Sequence, residues 1–311
     1  MRDTVGPPGA SGTAGTCGIP SPGSSVVAGS LVESCWAAFT PVIVAHLAAI
    51  VVVVADPLYF PIIKTARTMF RVLGLRIDSS GEQRIPRTGG AVLAINHTSY
   101  LDFIFAGIPA DDAGHRYVRF MAKDAVFRHR IGGPLMRGMK HIPVDRTAGA
   151  DAFAAAVDAL RRGELVGVFP EATMSRSFDI KEFKNGAARM AAEAGVPLLP
   201  EIVFGGQRML SYHHRDFSRG NAISVTVGEP MHPTLDDDPD AVTAELRARM
   251  IAMLDEVAAR YPDVPSDPAT AATTWWLPAR LGGGAPTLAA AAEIEAAAKA
   301  RKAAQREGGG R

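Results

Sequence analysis

Cysteine is nearly absent from this chain, with only Cys17 and Cys35 among 311 residues. That excludes a disulfide scaffold or a thiolate metal cluster and fits a reducing compartment. An excess of one charge is missing too: 33 Lys and Arg face 32 Asp and Glu, a formal net charge of +1 with no global push toward nucleic acid. No internal repeat is visible. No strand–Gly-x-Ser-x-Gly–helix elbow occurs, which removes the usual setting of a serine hydrolase. His115, His129, His141 and the His213-His214 pair show no recognised ligand spacing with carboxylates, so no metal is expected.

The composition divides the chain into four stretches. Residues 1–30 are rich in Gly, Pro, Ser, Thr and Ala and read as a disordered tail, since they cannot bury enough surface to offset chain entropy. No basic region adjoins an early apolar run, so this is not a signal peptide. Residues 31–76 read as a membrane-anchoring helical segment. Within it, Trp36 to Ala55 contains no Asp, Glu, Lys or Arg over twenty residues, long enough to span a bilayer core or to dip into one face and return. Beyond Pro61, the residues Ile62, Ile63, Ala66, Met69, Phe70 and Leu73 share one helical side while Lys64, Arg67 and Arg71 share another. A basic amphipathic helix beside an apolar segment suits an anionic lipid surface, and its charge places that side in the cytoplasm. The alternative is an ordinary surface helix of the following domain.

Residues 77–262 read as the main folded domain, and 263–311 as a C-terminal extension that is partly disordered. Strand-like runs at 91–95, 117–121, 140–144, 165–169, 198–203 and 222–227 alternate with helical patterns near 101–108, 124–139, 149–162 and 184–194. Alternation of this kind predicts an α/β fold with a mixed, largely parallel sheet flanked by helices. An amphipathic helix over 240–260 closes the domain. Trp275-Trp276-Leu277-Pro278 is an apolar patch expected to dock back on it, and 287–306 reads as a frayed helix.

The most informative stretch is His97-Thr98-Ser99-Tyr100-Leu101-Asp102, which follows the apolar run Ala91-Val92-Leu93-Ala94-Ile95. Histidine and aspartate would emerge at the C-terminal end of a buried strand, the edge where open α/β sheets bind ligands. A carboxylate that holds one imidazole tautomer leaves the other ring nitrogen free to take a proton from a hydroxyl. The same spacing recurs at His232 and Asp237, but inside a proline-flanked acidic turn that reads as solvated loop. Ser99 is assigned a structural role. Further along, Ile142 to Arg146, the loop from Phe169 to Arg176, and Lys184 before the helix opening at Gly186 each end or follow a strand. Arg146, Arg176 and Lys184 would form an anion site if they converge.

These segments resemble four blocks of the glycerolipid acyltransferase superfamily, which includes the 1-acylglycerol-3-phosphate acyltransferases. Its Asn-His-x-x-x-x-Asp block is matched by Asn96, His97 and Asp102, and its apolar strand ending in arginine by Ile142 to Arg146. The Phe-Pro-Glu-Gly-Thr-Arg-Ser block resembles Phe169 to Ser175, and the Val-Pro-x-x-Pro block resembles Val196 to Pro200. The resemblance implies acyl transfer from acyl-CoA or acyl carrier protein, as co-substrate and without a cofactor, to the hydroxyl of 1-acylglycerol-3-phosphate. His97 would be the base and Asp102 its orienting partner. Asn96, Arg146, Glu171, Thr173, Arg176, Lys184 and Pro200 would contact substrate at the cytoplasmic face of a membrane. Two positions depart: the family glycine is Ala172 and the family arginine, usually assigned to the acceptor phosphate, is Met174. Arg176 or Lys184 could replace that arginine. Otherwise the acceptor would be another lysophospholipid or glycerol-3-phosphate, or the chain a non-catalytic lipid-binding protein of the same fold.

Overall fold

The computed structural model describes residues 56–308 except 57, 131, 146–148 and 213. The N-terminal tail, the Trp36–Ala55 segment, both cysteines and Arg146 lie outside the described residues. Among those described, no helix is long and apolar enough to cross a membrane.

Seven strands form the main sheet: β1 (Arg76–Ser80), β2 (Ala91–Ile95), β3 (Val118–Lys123), β4 (Ile142–Val144), β5 (Leu165–Val168), β6 (Leu198–Phe204) and, after the small hairpin β7 (Leu210–Ser211) and β8 (His214–Arg215), β9 (Ala222–Val227). Their order is β1-β9-β6-β2-β5-β3-β4. All pairings are parallel except β6 with β9, so the sheet is mixed and largely parallel, as its alternating pattern predicts. Strand β2 is apolar at all five positions and fully buried because helices cover both faces.

The helices in chain order are α1 (Tyr59–Val72), α2 (Asp102–Phe105), α3 (Ile108–Asp112), α4 (Asp124–Phe127), α5 (Gly132–Gly138), α6 (Gly149–Arg161), α7 (Gly186–Ala194), α8 (Pro239–Arg260), α9 (Pro268–Thr273) and α10 (Leu288–Gly308). On one face α6, α7 and α8 pack against Val92, Ala94, Val166, Leu198 and Ile202. On the other, Phe70 of α1 and Phe105 of α2 pack with Leu93, Ile95, Leu199 and Val203. Burial of Leu246, Met250, Leu254 and Val257 along one side of α8 accounts for its sequence pattern.

Three expectations are revised in detail. The helix expected at 101–108 divides into α2 and α3, with Pro109 in the first turn of α3, where its missing N–H costs nothing. The helix expected at 124–139 breaks into α4 and α5 before the Gly132-Gly133 pair. Strand β1, polar and at the sheet edge, carries no alternating signal and was not anticipated.

Helix α1 is seated on the domain. The Tyr59 hydroxyl donates to the Val118 carbonyl at 2.8 Å, and Arg67 bonds Asp111 at 2.7 Å and Asp112 at 2.6 Å. Arg67 is therefore turned to two acids of α3, while Lys64 and Arg71 stay exposed beside Phe60, Met69 and Val72. The tryptophan patch docks as expected: Trp276 is buried against Phe204 and Tyr261.

Candidate active site

Strands β2 and β5 are parallel neighbours, so the segments leaving their C-terminal ends meet. The first brings His97 and Asp102 and the second brings Glu171. His97 Nδ1 lies 3.0 Å from Asp102 Oδ2. The same oxygen accepts the backbone N–H groups of Thr98 and Ser99, both at 2.7 Å. Three donors converge on one oxygen because the chain wraps around its own aspartate as it enters α2. An ionised carboxylate can only accept, so Nδ1 holds the proton and Nε2 is the basic nitrogen.

Asp102 is 0% exposed. Burial raises its pKa, while the His97 ring and the two N–H donors pull it back. Its other oxygen, Oδ1, has no hydrogen-bond partner. The turn after β6 closes over it at Gly206, where an added Cβ would stand 3.3 Å from that oxygen and 3.1 Å from Ser99 Cβ.

Glu171 supports the histidine from below. Its Oε1 accepts the His97 backbone N–H at 2.9 Å and its Oε2 accepts the Lys181 N–H at 3.3 Å. Burial pushes this carboxyl up to about 8, against the pull of those two donors. The Ser175 N–H donates to the His97 carbonyl at 2.6 Å, so the loop after β5 grips the His97 backbone at two points. Phe169 stacks on the imidazole with centroids 4.3 Å apart. Ser99 is not poised as a nucleophile: its hydroxyl donates to the Leu210 carbonyl at 2.7 Å and accepts from Leu101 N–H at 3.0 Å.

The other sequence-derived residues fall in different places. Asn96 is buried and both ends of its amide are engaged by Val203, with N–H to Oδ1 at 2.7 Å and Nδ2 to carbonyl at 3.0 Å. Pro200 is buried in β6 opposite Ala94. Thr173 sits in the site loop, where its hydroxyl accepts from Lys181 Nζ at 2.6 Å. Arg176 follows Ser175 in the same loop, with its guanidinium 3.7 Å from the Tyr212 ring centroid. Lys184 is exposed, with its backbone N–H on the Pro170 carbonyl. The lysine that reaches the loop is Lys181, three positions earlier, which sequence reasoning passed over. Met174, in the family arginine's position, is 3% exposed. At the second His–Asp spacing, Asp237 accepts from Thr234 N–H and hydroxyl at 2.7 and 2.9 Å in an exposed turn, as expected of a loop. Among the described residues no cluster of His, Cys, Asp and Glu assembles metal donors.

The site therefore sets a histidine held by a buried carboxylate at a parallel strand end of an α/β domain, with the nearby serine hydroxyl engaged elsewhere. The Acyltransferase family model matches residues 76–203 of this chain. The 1-acyl-sn-glycerol-3-phosphate acyltransferase of Bacillus subtilis is 27% identical over 164 residues, covering 52% of this chain and 77% of the relative. That of Borreliella burgdorferi is 28% identical over 52% of this chain and 63% of its own. The human alpha form is 26% identical over 60% of this chain and 66% of its own. In fold, the chain resembles the crystal structure of the 1-acyl-sn-glycerophosphate acyltransferase PlsC from Thermotoga maritima, with a TM-score of 0.55, 22% identity, and 65% and 80% of the two chains covered.

Proposed function

We propose that this protein transfers a fatty acyl group from a thioester donor, acyl-CoA or acyl carrier protein, to the free hydroxyl of 1-acylglycerol-3-phosphate, giving phosphatidic acid for phospholipid biosynthesis. The observation that carries the reading is the 3.0 Å contact between His97 Nδ1 and Asp102 Oδ2, which leaves Nε2 as the proton acceptor. The acceptor oxygen attacks the thioester carbonyl as its proton passes to Nε2. Collapse of the tetrahedral adduct breaks the C–S bond, and the imidazolium returns the proton to the departing thiolate. Asp102 holds the ring and stabilises the imidazolium, the division of labour of hydrolytic triads without their serine. No acyl-enzyme is needed.

An apolar cavity of about 180 Å³ between α1 and the sheet suits the acyl chain; Ile62, Phe70, Phe103, Phe120 and Met139 line it. It adjoins the base through a short aromatic series. Phe120 stacks on Phe169 at 6.3 Å, and Phe169 stacks on His97 at 4.3 Å. The exposed Phe60, Met69 and Val72 of α1, with Lys64 and Arg71, would meet an anionic lipid surface, putting the acceptor within reach of a membrane-associated enzyme.

The test is acyl transfer to lysophosphatidic acid from one acyl-CoA. His97→Ala should lower kcat about 10²–10⁴-fold, and Asp102→Asn should fall in the same direction with KM little changed. Wild-type turnover by His97→Ala would sink the mechanism.

A further inference from the structure

Beside the His97 turn lies a second cavity, of about 390 Å³, whose lining includes Arg176, Tyr212, His214, Trp275, Pro286 and Ile294. Half of that set comes from the catalytic domain and half from the C-terminal segment. The segment is pinned at three points. Arg280 makes a two-pronged contact with Asp179, at 2.9 and 3.1 Å, Lys181 Nζ pairs with Glu295 at 3.2 Å, and Trp276 is buried in the core.

Arg176 is the charged group of this cavity. Its guanidinium lies over the Tyr212 ring at 3.7 Å, its Nε is buried with no hydrogen-bond partner, and no carboxylate pairs with it among the described residues. By contrast the neighbouring cations Lys181 and Arg280 are already paired with Glu295 and Asp179. A guanidinium stacked by its face keeps its N–H edge for an oxyanion, and phosphate matches that fork. Aromatic rings make up much of the remaining wall, with His214 and Trp275 centroids 4.1 Å apart and Phe178 at 5.8 Å from Trp275.

Position selects the ligand. Ser175 N–H is on the His97 carbonyl, Tyr212 faces Tyr100 at 6.1 Å, and Leu210 carries the Ser99 hydroxyl, so Arg176 and Tyr212 belong to the segments that hold the His97 turn. In a lysophosphatidic acid the phosphate is one carbon removed from the carbon bearing the attacking hydroxyl. The nucleotide of acyl-CoA is a whole pantetheine arm away from its thioester. A phosphate site on the segments that hold the His97 turn therefore fits the acceptor.

Resting on the acyl-transfer reading above, we infer that the C-terminal segment completes the acceptor head-group site: Arg176, backed by Tyr212, takes the acceptor phosphate in place of the arginine replaced by Met174, and Trp275 limits the size of what the phosphate carries. The segment is thereby a specificity element of the enzyme rather than an appendage.

Steady-state kinetics on the full chain test this, with lysophosphatidic acid, 1-acylglycerol and lysophosphatidylglycerol as acceptors. Arg176→Ala should raise KM for lysophosphatidic acid about tenfold or more, with Arg176→Lys intermediate. KM for acyl-CoA and turnover of the uncharged 1-acylglycerol should not move. Trp275→Ala should shift kcat/KM about fivefold toward lysophosphatidylglycerol. A rise in KM for acyl-CoA instead, or no change in either variant, overturns the assignment. Tryptophan fluorescence of His97→Ala titrated with glycerol 3-phosphate reads the site without catalysis. Saturable binding that Arg176→Ala loses supports the site even if no acceptor is turned over, and equal binding in the two proteins overturns it.

Discussion

Glu171 is a buried carboxyl, bonded to the His97 backbone, whose protonation state should bear on the rate. With its pKa raised to about 8 by burial, it is mainly a neutral acid at pH 7, bonded to the His97 N–H through one oxygen. Glutamine can present the same carbonyl oxygen. Above pH 8 the wild-type carboxyl ionises next to Asp102, adding a buried negative charge where the tetrahedral adduct must place another. Wild type should decline above pH 8, and Glu171→Gln should keep kcat/KM within about tenfold of wild type at pH 7 and lose that decline. A pH–rate profile checks this, and an unchanged alkaline limb in the variant removes Glu171 as its source. His97 and Asp102 are legible in the sequence because their spacing and the strand before them are both local. Lys181 is not: Lys181 and Lys184 lie in one loop, and only the path of that loop shows that the former meets Thr173 while the latter points to solvent. Nor does a sequence show that Asn96 spends its amide on Val203 from β6, 107 positions away.

The loop between β5 and α7 is where local backbone preference and function conflict. Ala172 has φ of +60° and Phe178 of +56°, both in the left-handed region that L side chains rarely adopt. The family glycine at the first position fits that geometry without cost. Relief of the Cβ clash is worth ~1–2 kcal/mol, offset by ~0.4–1 kcal/mol of extra chain freedom in unfolded glycine. Ala172→Gly should therefore stabilise the protein by roughly 0.5–1 kcal/mol in urea unfolding. Destabilisation would mean that the alanine methyl makes a compensating contact. The regular elements were easier to anticipate than this loop. Strands β2 and β5 are continuous apolar runs, and β6 and β9 largely apolar ones, because both faces are covered, and α8 shows its buried side in its spacing. Strand β1, Arg-Ile-Asp-Ser-Ser, exists through its parallel pairing with β9 rather than through any pattern of its own.

Folding also buries groups that titrate, and their balance sets how the whole molecule responds to pH. Glu201 in β6 is 0% exposed, with neither carboxylate oxygen hydrogen-bonded, and burial raises its pKa well above the ordinary value of 4.5. Glu171 behaves alike, with a folded value of about 8. In both cases the folded state binds protons that the unfolded chain has released, so stability falls as pH rises from about 4.5 through the folded pKa. His141 acts in the other direction. Its Nδ1 accepts the Phe120 N–H and burial lowers its pKa from 6.5 to about 4, so stability is lost as pH falls between those values. Below 6.5 the buried acids and the histidine oppose one another; above 6.5 the histidine no longer opposes the buried acids, among them Glu171 up to about 8. Stability should decline across that upper window by up to ~1.4 kcal/mol per pH unit for each glutamate. Glu201→Gln keeps the volume and removes one ionisation, so its unfolding free energy should fall less steeply from pH 6.5 to 8 and exceed wild type at the upper end. Urea melts at four pH values across this range measure both slopes. Parallel lines for the two proteins would show that Glu201 is ionised in the folded state and solvated by some route other than a hydrogen bond from the chain.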